Sequence, residues 1–491
     1  MVVGVGLDLR EAEPPNAKAN DMSKVFLLAP SHLSAPTVTP HLGCAMLSAA
    51  LTQHGHEVRV LDYAYLREAE RDADAVRAQL LAFRPDCVGV SVYTASVSLA
   101  RETMRQAKEL LGVPIIVGGP HATLYPEAMI GLDYVDTVVT GDGEVTLPLV
   151  VSEPARYAKQ IVQGGQLDIT TLPTADFSTF YGSERILIYP LQTSRGCPFN
   201  CSFCTVHTVT SRRWRPRDLQ PVMAELDGAL ERLPQIREIQ IHDDCPTLDV
   251  GRFKELLRQV AARQTARKLT VANIRADSVD DELVSLMLQA GCDSVCIAAE
   301  HGNPDVFDLI GKAETLADIE RAATTIRRHG ARLGLCFIIG LPGDTLARTQ
   351  DSIRLARRLQ PDFVFWNMAH PFRHSRILDW YEAHGATLGD VDDYASYVES
   401  SVTGAEPIVS TPEFTAAERR QAKFQCAVAT DQYDASQEGV LKLLALACGY
   451  HCVALTLASL GRKARAAAWL RVGWRLRRLR ALFRGHGGRA R

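Results

Sequence analysis

From Lys24 to Val150 short apolar runs alternate with amphipathic stretches. The runs Val25–Ala29, Val58–Leu61, Cys87–Val92, Ile115–Val117 and Val135–Val139 have strand length and composition. Helical spacing marks Cys44–His54 and Ala95–Leu110 between them. Five such units over residues 23–150 predict an α/β domain with a doubly wound parallel sheet. Residues 1–22 carry acids, prolines and an Asn-Ala-Lys-Ala-Asn stretch and read as a flexible tail. Residues 151–185 are mixed and turn-rich, including Leu172-Pro173-Thr174-Ala175-Asp176, and read as a linker. Alternation resumes over 186–400. Strands are predicted at Ile186–Leu191, Glu238–His242, Leu269–Ile274, Ser294–Ala298, Leu333–Ile339 and Phe363–Asn367, making six further βα units.

The pattern changes in the C-terminal region, 401–491, which reads as mainly α-helical. Thr411-Pro412-Glu413 looks like a helix start, followed by Phe414–Asp431. Leu443–Leu460 is an 18-residue run without a charged side chain, marginal for crossing a bilayer and more suited to packing on the domain before it. Trp469–Phe483 mixes Leu, Trp and Phe with arginines, a pattern that can rest on anionic lipid.

Composition adds little to this picture. Of 491 residues 46% are hydrophobic and 23% charged, an ordinary globular balance. The net charge of −3 gives no reason to expect nucleic acid as a partner. Charge placement says more: residues 462–491 hold eleven Lys or Arg and no acid, a cationic appendage on an acidic body. Twelve cysteines in a chain this long do not form a disulfide scaffold, and no signal peptide precedes the first strand. A reducing cytoplasm is the expected compartment, with peripheral membrane contact through the basic tail as an addition.

The candidate chemistry centres on Cys197, Cys201 and Cys204, spaced C-x3-C-x2-C just after the strand Ile186–Leu191. Three thiolates on one loop can hold three irons of a [4Fe–4S] cluster, and no fourth cysteine follows closely; the next is Cys245. An iron without a protein ligand is an open position for chemistry. The alternative is zinc with His207 as fourth ligand, although structural zinc sites favour two separated ligand pairs.

The cysteine spacing and its neighbours resemble the radical SAM superfamily, in which S-adenosylmethionine (SAM) chelates the fourth iron. The resemblance implies a partial (β/α)6 barrel over 186–400 with its chemistry at the strand ends. There, His242-Asp243-Asp244 replaces the family's Gly-Gly-Glu run, so Asp243 or Asp244 is expected to take the SAM amino group. Arg275 matches the position near the SAM carboxylate, Glu300 the acid that accepts ribose hydroxyls, and Ile339-Gly340 the strand that contacts adenine. Trp366 at the end of the sixth strand and His370, Arg373 and His374 just after it stand where a side chain either faces substrate or closes the barrel.

The turns of the first domain together resemble the cobalamin-binding, Rossmann-like domain found ahead of many radical SAM domains. By that resemblance Ser91, Tyr93, Thr94, Gly118, Gly119, His121, Gly141, Gly143 and Glu144 are expected to bind cobalamin. The D-x-H-x-x-G motif that supplies a lower cobalt ligand is missing from the first loop, Ala29-Pro30-Ser31-His32-Leu33-Ser34; His32 and His41 are the remaining candidates for that ligand. The resemblance implies a cobalamin-dependent radical SAM methyltransferase. The 5′-deoxyadenosyl radical made from SAM abstracts hydrogen from an unactivated carbon of a small, hydrophobic substrate, and methylcobalamin donates the methyl group. A reductase or flavodoxin-type electron donor is implied. Cyclisation or rearrangement on the same architecture is the alternative reaction class, and a non-catalytic iron–sulfur sensor the alternative outside enzymes.

Overall fold

The structure is a computed structural model and describes residues 5–6, 22–31, 39–67, 70, 73–165, 167–389 and 407–430. The expected histidine ligand His32 and the segments 443–460 and 469–483 lie outside the described residues.

The first domain is built on a seven-stranded parallel sheet. In chain order its elements are β1 (Val5–Gly6), β2 (Lys24–Ala29), α1 (Leu42–Gln53), β3 (Glu57–Asp62), α2 (Ala73–Phe83), β4 (Cys87–Ser91) and α3 (Val97–Leu111). Then follow β5 (Ile115–Gly118), α4 (Pro120–Leu124), α5 (Pro126–Ile130), β6 (Thr137–Thr140), α6 (Thr146–Ser152) and β7 (Gln160–Gln163). The strand order β1-β7-β6-β5-β4-β2-β3 is doubly wound, with the crossover between β4 and β2. Strands β2 and β4 are apolar on both sides because helices cover both faces.

Two expectations fail here. The tail and the linker each supply a strand, since β1 pairs with β7 and β7 with β6. Gln160-Ile161-Val162-Gln163 has only two apolar residues because it lies near the sheet edge, so its pattern is too weak to read. The rest of the linker is buried as well. Phe177, Phe180 and Ile186 enter the core, while Thr179 O accepts from Val60 N and Tyr181 N donates to Val60 O. One apolar cluster runs from Leu27, Leu51 and Val139 through Phe177, Phe180 and Tyr189 into Ile241, Leu269 and Phe337. The two α/β domains therefore share a core.

The second domain is a partial barrel of six parallel strands. Its elements begin β8 (Ile188–Leu191), β9 (Ser194–Arg195), α7 (Val206–Val209), β10 (Arg215–Pro216), α8 (Leu219–Arg232), β11 (Glu238–Ile241), α9 (Val250–Ala262) and β12 (Lys268–Val271). They continue α10 (Asp281–Gln289), β13 (Ser294–Glu300), α11 (Pro304–Ile310), α12 (Leu316–Arg328), β14 (Arg332–Ile339), α13 (Leu346–Leu359) and β15 (Phe363–Met368). The strands run β8-β11-β12 and β13-β14-β15, and a bridge between Ile274 and Ile297 joins the two halves. On β13 and β14 the alternate residues Val295, Ile297, Ala299, Leu333, Leu335 and Phe337 face the helices. Cys296, Ala298, Cys336 and Ile338 face the other way, into the barrel. A capping box between Thr315 and Asp318 starts α12.

Beyond the barrel lie α14 (Arg376–Ala383), the antiparallel pair β16 (Thr387–Leu388) and β17 (Val409–Ser410), and α15 (Ala416–Ala429). Helix α15 covers the outside of β14 and β15. Trp366 settles there: it stacks on Phe337 with ring centroids 4.5 Å apart, and its indole N–H donates to Thr430 at 3.0 Å. It closes the barrel wall and does not face substrate.

Candidate functional site

The loop bearing Cys197, Cys201 and Cys204 leaves the barrel after β9 and is tied down from several directions. Gly196 (φ +92°) has a backbone that only glycine adopts freely, and a Cβ there would collide with the Arg213 carbonyl. Gly196 N donates to Asp244 at 2.7 Å, Cys197 N to Ser211 O at 3.2 Å and Ser202 N to Ile310 O at 2.8 Å. All three cysteines are half-buried and free of disulfides. Burial pushes the thiol of Cys201 up to about 12 and that of Cys204 up to about 11. The neighbouring Cys245 thiol holds Cys197 below the ordinary range and is itself pushed up. Among the described residues no three His, Cys, Asp or Glu side chains gather closely enough for one metal ion. Three thiols that stand apart on one loop suit separate corners of an iron–sulfur cubane.

The residues expected to hold SAM divide into two groups. Asp243 is committed internally: it accepts from Thr193 N, Thr193 Oγ1 and Ser194 Oγ, each at 2.6 Å. Burial raises its pKa, and those donors oppose the rise. Asp244 accepts from Gly196 N and, at 3.0 Å, from Thr210 Oγ1. Arg275 is committed too. Its guanidinium pairs with Asp277 at 2.7 Å, donates to the carbonyls of Lys312 and Ala313 at 3.1 and 3.0 Å, and lies 3.7 Å from the Phe199 ring centre. Asp243 and Arg275 thus brace the cysteine loop and its surroundings, the carboxylate accepting three hydrogen bonds and the guanidinium donating to one carboxylate and two carbonyls.

Glu300, Ile339 and Gly340 sit at the ends of β13 and β14 as expected. Glu300 adopts φ +57°, and burial raises its carboxyl against the pull of Lys312 3.5 Å away. Gly340 donates its N–H to Asp344 at 2.7 Å, and its carbonyl accepts from Tyr381 and from the buried Arg419 at 3.0 Å. The Ile339 carbonyl accepts from Ala369 N at 2.8 Å. Two buried charges here had no signal in the sequence. Lys312 pairs with Glu314 at 3.0 Å and bonds Ala298 O, while Glu314 accepts from Ala276 N at 2.8 Å. In the run Gly311-Lys312-Ala313-Glu314 they read as an ordinary polar turn.

Between the two domains lies a cleft of about 420 Å³. One wall is the carboxyl edge of the first sheet, where Ser91, Tyr93, Gly118, Gly119, Gly141, Gly143 and Glu144 line it as expected. The floor is an apolar slot of Leu27, Gly89, Ile116, Val139 and Leu147. The opposite wall comes from the barrel: Gln192, Arg195, His242, Asp244 and, just after Cys204, Thr205 and Val206. Thr94 and His121 do not line it. Both are buried, His121 stacking on Tyr125 at 4.6 Å and meeting Thr94 Oγ1 at 3.3 Å.

Small residues make the room. A Cβ on Gly89 would stand 2.6 Å from Leu27 Cδ2, and one on Gly119 (φ +93°) 2.7 Å from Ser91 Oγ and 2.8 Å from Val92 N. Tyr93 is 45% exposed because it faces this opening. An apolar slot with a polar rim suits a large flat macrocycle with amide side arms, so the residues fit cobalamin. His41 borders the same cleft, but its Nδ1 accepts from Cys44 N at 3.0 Å to cap α1. Burial holds the ring neutral, with a pKa of about 4, so the proton sits on Nε2. Neither nitrogen then presents a lone pair to cobalt.

Four buried charges cross from one domain to the other, unforeseen as a set. Arg195, two residues before Cys197, pairs with Asp142 at 2.8 Å and Glu144 at 2.7 Å; Arg215 pairs with Asp142 at 2.5 Å. Glu144 therefore lines the cleft while its carboxylate serves this seam. His374 and His207 lie close together, and Arg373 stacks on Tyr125 of the first domain at 5.2 Å. His370 is buried, which lowers its pKa to about 3.

Residues 32–151 match the family model "B12 binding domain" and residues 191–356 match "Radical SAM superfamily". Over 420 residues, 80% of this chain and 89% of the relative, the chain is 27% identical to an uncharacterized methyltransferase of Pyrococcus horikoshii. It is 26% identical to an anaerobic magnesium-protoporphyrin IX monomethyl ester cyclase of Rubrivivax gelatinosus, across 66% of this chain and 62% of that protein. Among solved structures the radical S-adenosylmethionine methyltransferase TsrM of Kitasatospora setae, with tryptophan and a SAM analogue bound, superposes with a TM-score of 0.61. Identity there is 21%, over 72% of this chain and 75% of that one, so the likeness is one of fold. The cobalamin-dependent enzyme OxsB, with aqua-cobalamin and SAM bound, gives a TM-score of 0.57 at 16% identity, over 84% of this chain and 62% of that one.

Proposed function

The chain belongs to the radical SAM superfamily and carries a B12-binding domain, and from that premise we propose that it methylates an unactivated carbon of a small molecule. The observation that carries this reading is the shared cleft: glycine-rich strand ends form one wall, and the residues next to the cysteine loop form the other. When bound, the cluster with SAM supplies radical chemistry and cobalamin supplies a methyl group. This chain's own residues do the positioning. Cys197, Cys201 and Cys204 would ligate three irons, with Gly196, Asp244 and Arg275 setting their loop. Gly89, Gly119 and Gly143 would admit the macrocycle close to the backbone. Arg195 and Arg215 lock the two walls at one spacing through Asp142 and Glu144, and the closed seam excludes water from a reactive site.

The test is anaerobic reconstitution with iron, sulfide and hydroxocobalamin, followed by incubation with methyl-labelled SAM and candidate substrates. About four irons and one cobalt per chain, with label in product, are expected. Iron without cobalt would overturn methyl transfer through cobalamin. A second reading, ring formation, draws on the resemblance to the cyclase of Rubrivivax gelatinosus; unlabelled product would select it. A flavodoxin-type reductant is the proposed electron donor. Contact with anionic lipid through 469–483 is proposed from sequence alone; truncation after Ser459 should then lower binding to anionic vesicles. No helix among the described residues is long and apolar enough to cross a membrane.

A further inference from the structure

The cysteine loop is closed at its base by like charges. Strand β9 pairs antiparallel with β10, and residues 196–214 between them carry Cys197, Cys201 and Cys204. In that two-stranded ribbon Arg195 stands directly opposite Arg215. Like charges opposed across a strand pair repel, and both side chains are buried, at 7% and 6% exposure, where water screens them poorly. The carboxylates that answer them come from the other domain. Asp142 reaches between the two, Oδ1 to Arg195 at 2.8 Å and Oδ2 to Arg215 at 2.5 Å, and Glu144 takes the second Arg195 nitrogen at 2.7 Å. Among the described residues these are the only ion pairs either arginine makes. Arg215 also donates to the carbonyl of Thr210, near the far end of the loop, at 2.7 Å.

Asp142 and Glu144 belong to the turn after β6, residues 141–144, and all four residues of that turn line the cleft. On its sheet side the turn is held. Gly141 N donates to Thr123 Oγ1 at 3.0 Å, and a Cβ on Gly164 would stand 2.1 Å from the Asp142 carbonyl oxygen. Its remaining side faces the cleft, so an occupant of the cleft packs against the turn that closes the cysteine loop.

We infer that Asp142 and Glu144, carried by the cobalamin-binding domain, are positioning residues for the cluster loop, and that cobalamin seated in the cleft slows loss of the cluster through them. This rests on the radical SAM and cobalamin reading proposed above. The loop sheds its irons by opening at its base. Opening either drags the turn 141–144 with it or parts the arginines from their acids and leaves buried charges unpaired. A macrocycle packed on the turn removes the first route, so the opened state becomes rarer and loss through it slower. At equilibrium the coupling is reciprocal: a filled cluster loop favours cobalamin by the factor by which cobalamin favours the cluster.

The experiment uses the full chain, reconstituted anaerobically with iron and sulfide, with or without excess hydroxocobalamin. Iron release to a strong ferrous chelator is timed by counting the iron left on the desalted protein. Bound cobalt is counted in each variant, so that the ratio of rates compares filled with empty clefts. Release in the parent is expected to be about fivefold slower with cobalamin, the low end of coupling between sites. In Asp142→Asn, which keeps the shape and removes the charge, release is faster and the cobalamin effect falls to near onefold. Glu144→Gln breaks one of the three ion pairs and gives an intermediate ratio; it decides the matter should Asp142→Asn fail to fold. A merely structural role would speed release equally with and without cobalamin, so a parental ratio in the folded variants overturns the inference. So does the absence of any cobalamin effect in a parent that holds both cofactors. A parent that holds no cluster or no cobalamin sinks the cofactor reading itself, a separate and visible outcome.

Discussion

The two domains prepare their strand ends by opposite means. At the edge of the first sheet side chains are removed: Gly118, Gly119, Gly141 and Gly143 leave a cleft whose floor is apolar. At the ends of the barrel strands side chains are retained and spent on one another. Asp243 accepts from Thr193 and Ser194, Arg275 donates to Asp277 and two carbonyls, and Glu300 faces Lys312. An open edge suits a large preformed group. A braced edge suits a loop whose three thiols must be held at fixed separation before metal arrives.

Breaking the braced side should have the largest effect. Cys201→Ala removes a cluster ligand, and 5′-deoxyadenosine formation from SAM is expected to vanish; measurable product from the reconstituted variant would refute the role. Next in size is the seam between the two sides. Asp142→Ala takes the carboxylate partner from buried Arg215 and leaves Arg195 with Glu144 alone; loss of one partner of a buried pair costs about 3–5 kcal/mol, so chemical denaturation should show a loss of that order. Gly119→Ala tests the open side alone. The substitution adds a Cβ at φ +93° and ψ −179°, a region essentially confined to glycine that costs a side-chain-bearing residue about 1–3 kcal/mol, and sets it against Ser91. Cobalamin retention on gel filtration should fall while iron content stays at the parental level. Equal loss of both would mean the two sites are not separable.

The smallest effect concerns acid. On the open side His41 is half-buried and His121 buried, and loss of solvent around each ring lowers its pKa from 6.5 to about 4. Between those values the unfolded chain binds more protons than the folded one, so stability rises with pH there and is lost as pH falls from about 6.5 towards 4. His41→Gln should flatten the slope of denaturation free energy against pH in that window; an unchanged slope would show that His41 is not held neutral.

Much of this was legible in the sequence and some of it could not be. Apolar runs such as Cys87–Val92 and Leu333–Ile339 announce central strands because burial on both faces leaves a continuous signature. Gln160–Gln163 has no such signature, and the aromatic pair Phe177 and Phe180 in a turn-rich stretch gives no hint that it fastens two domains. The cysteine spacing is local, so its chemistry was readable in one line. Asp243 and Arg275 stand at the strand ends expected, but their partners within the chain, Thr193, Ser194 and Asp277, could not be read, because residue type at a strand end does not say which way the side chain turns. The Arg195–Asp142 contact spans residues 53 apart, and only the fold brings them together.

The shared core and the four-charge seam also bear on how such chains can be recombined. A cobalamin-binding module from another chain, grafted ahead of this barrel at residue 151, would leave β7, Phe177 and Phe180 of this chain against a foreign sheet and would take away Asp142 and Glu144, the acids that meet Arg195 and Arg215. The heritable unit is therefore longer than the module: it extends through Ile186, and a productive crossover would have to fall before Lys24 or carry both halves of the seam together.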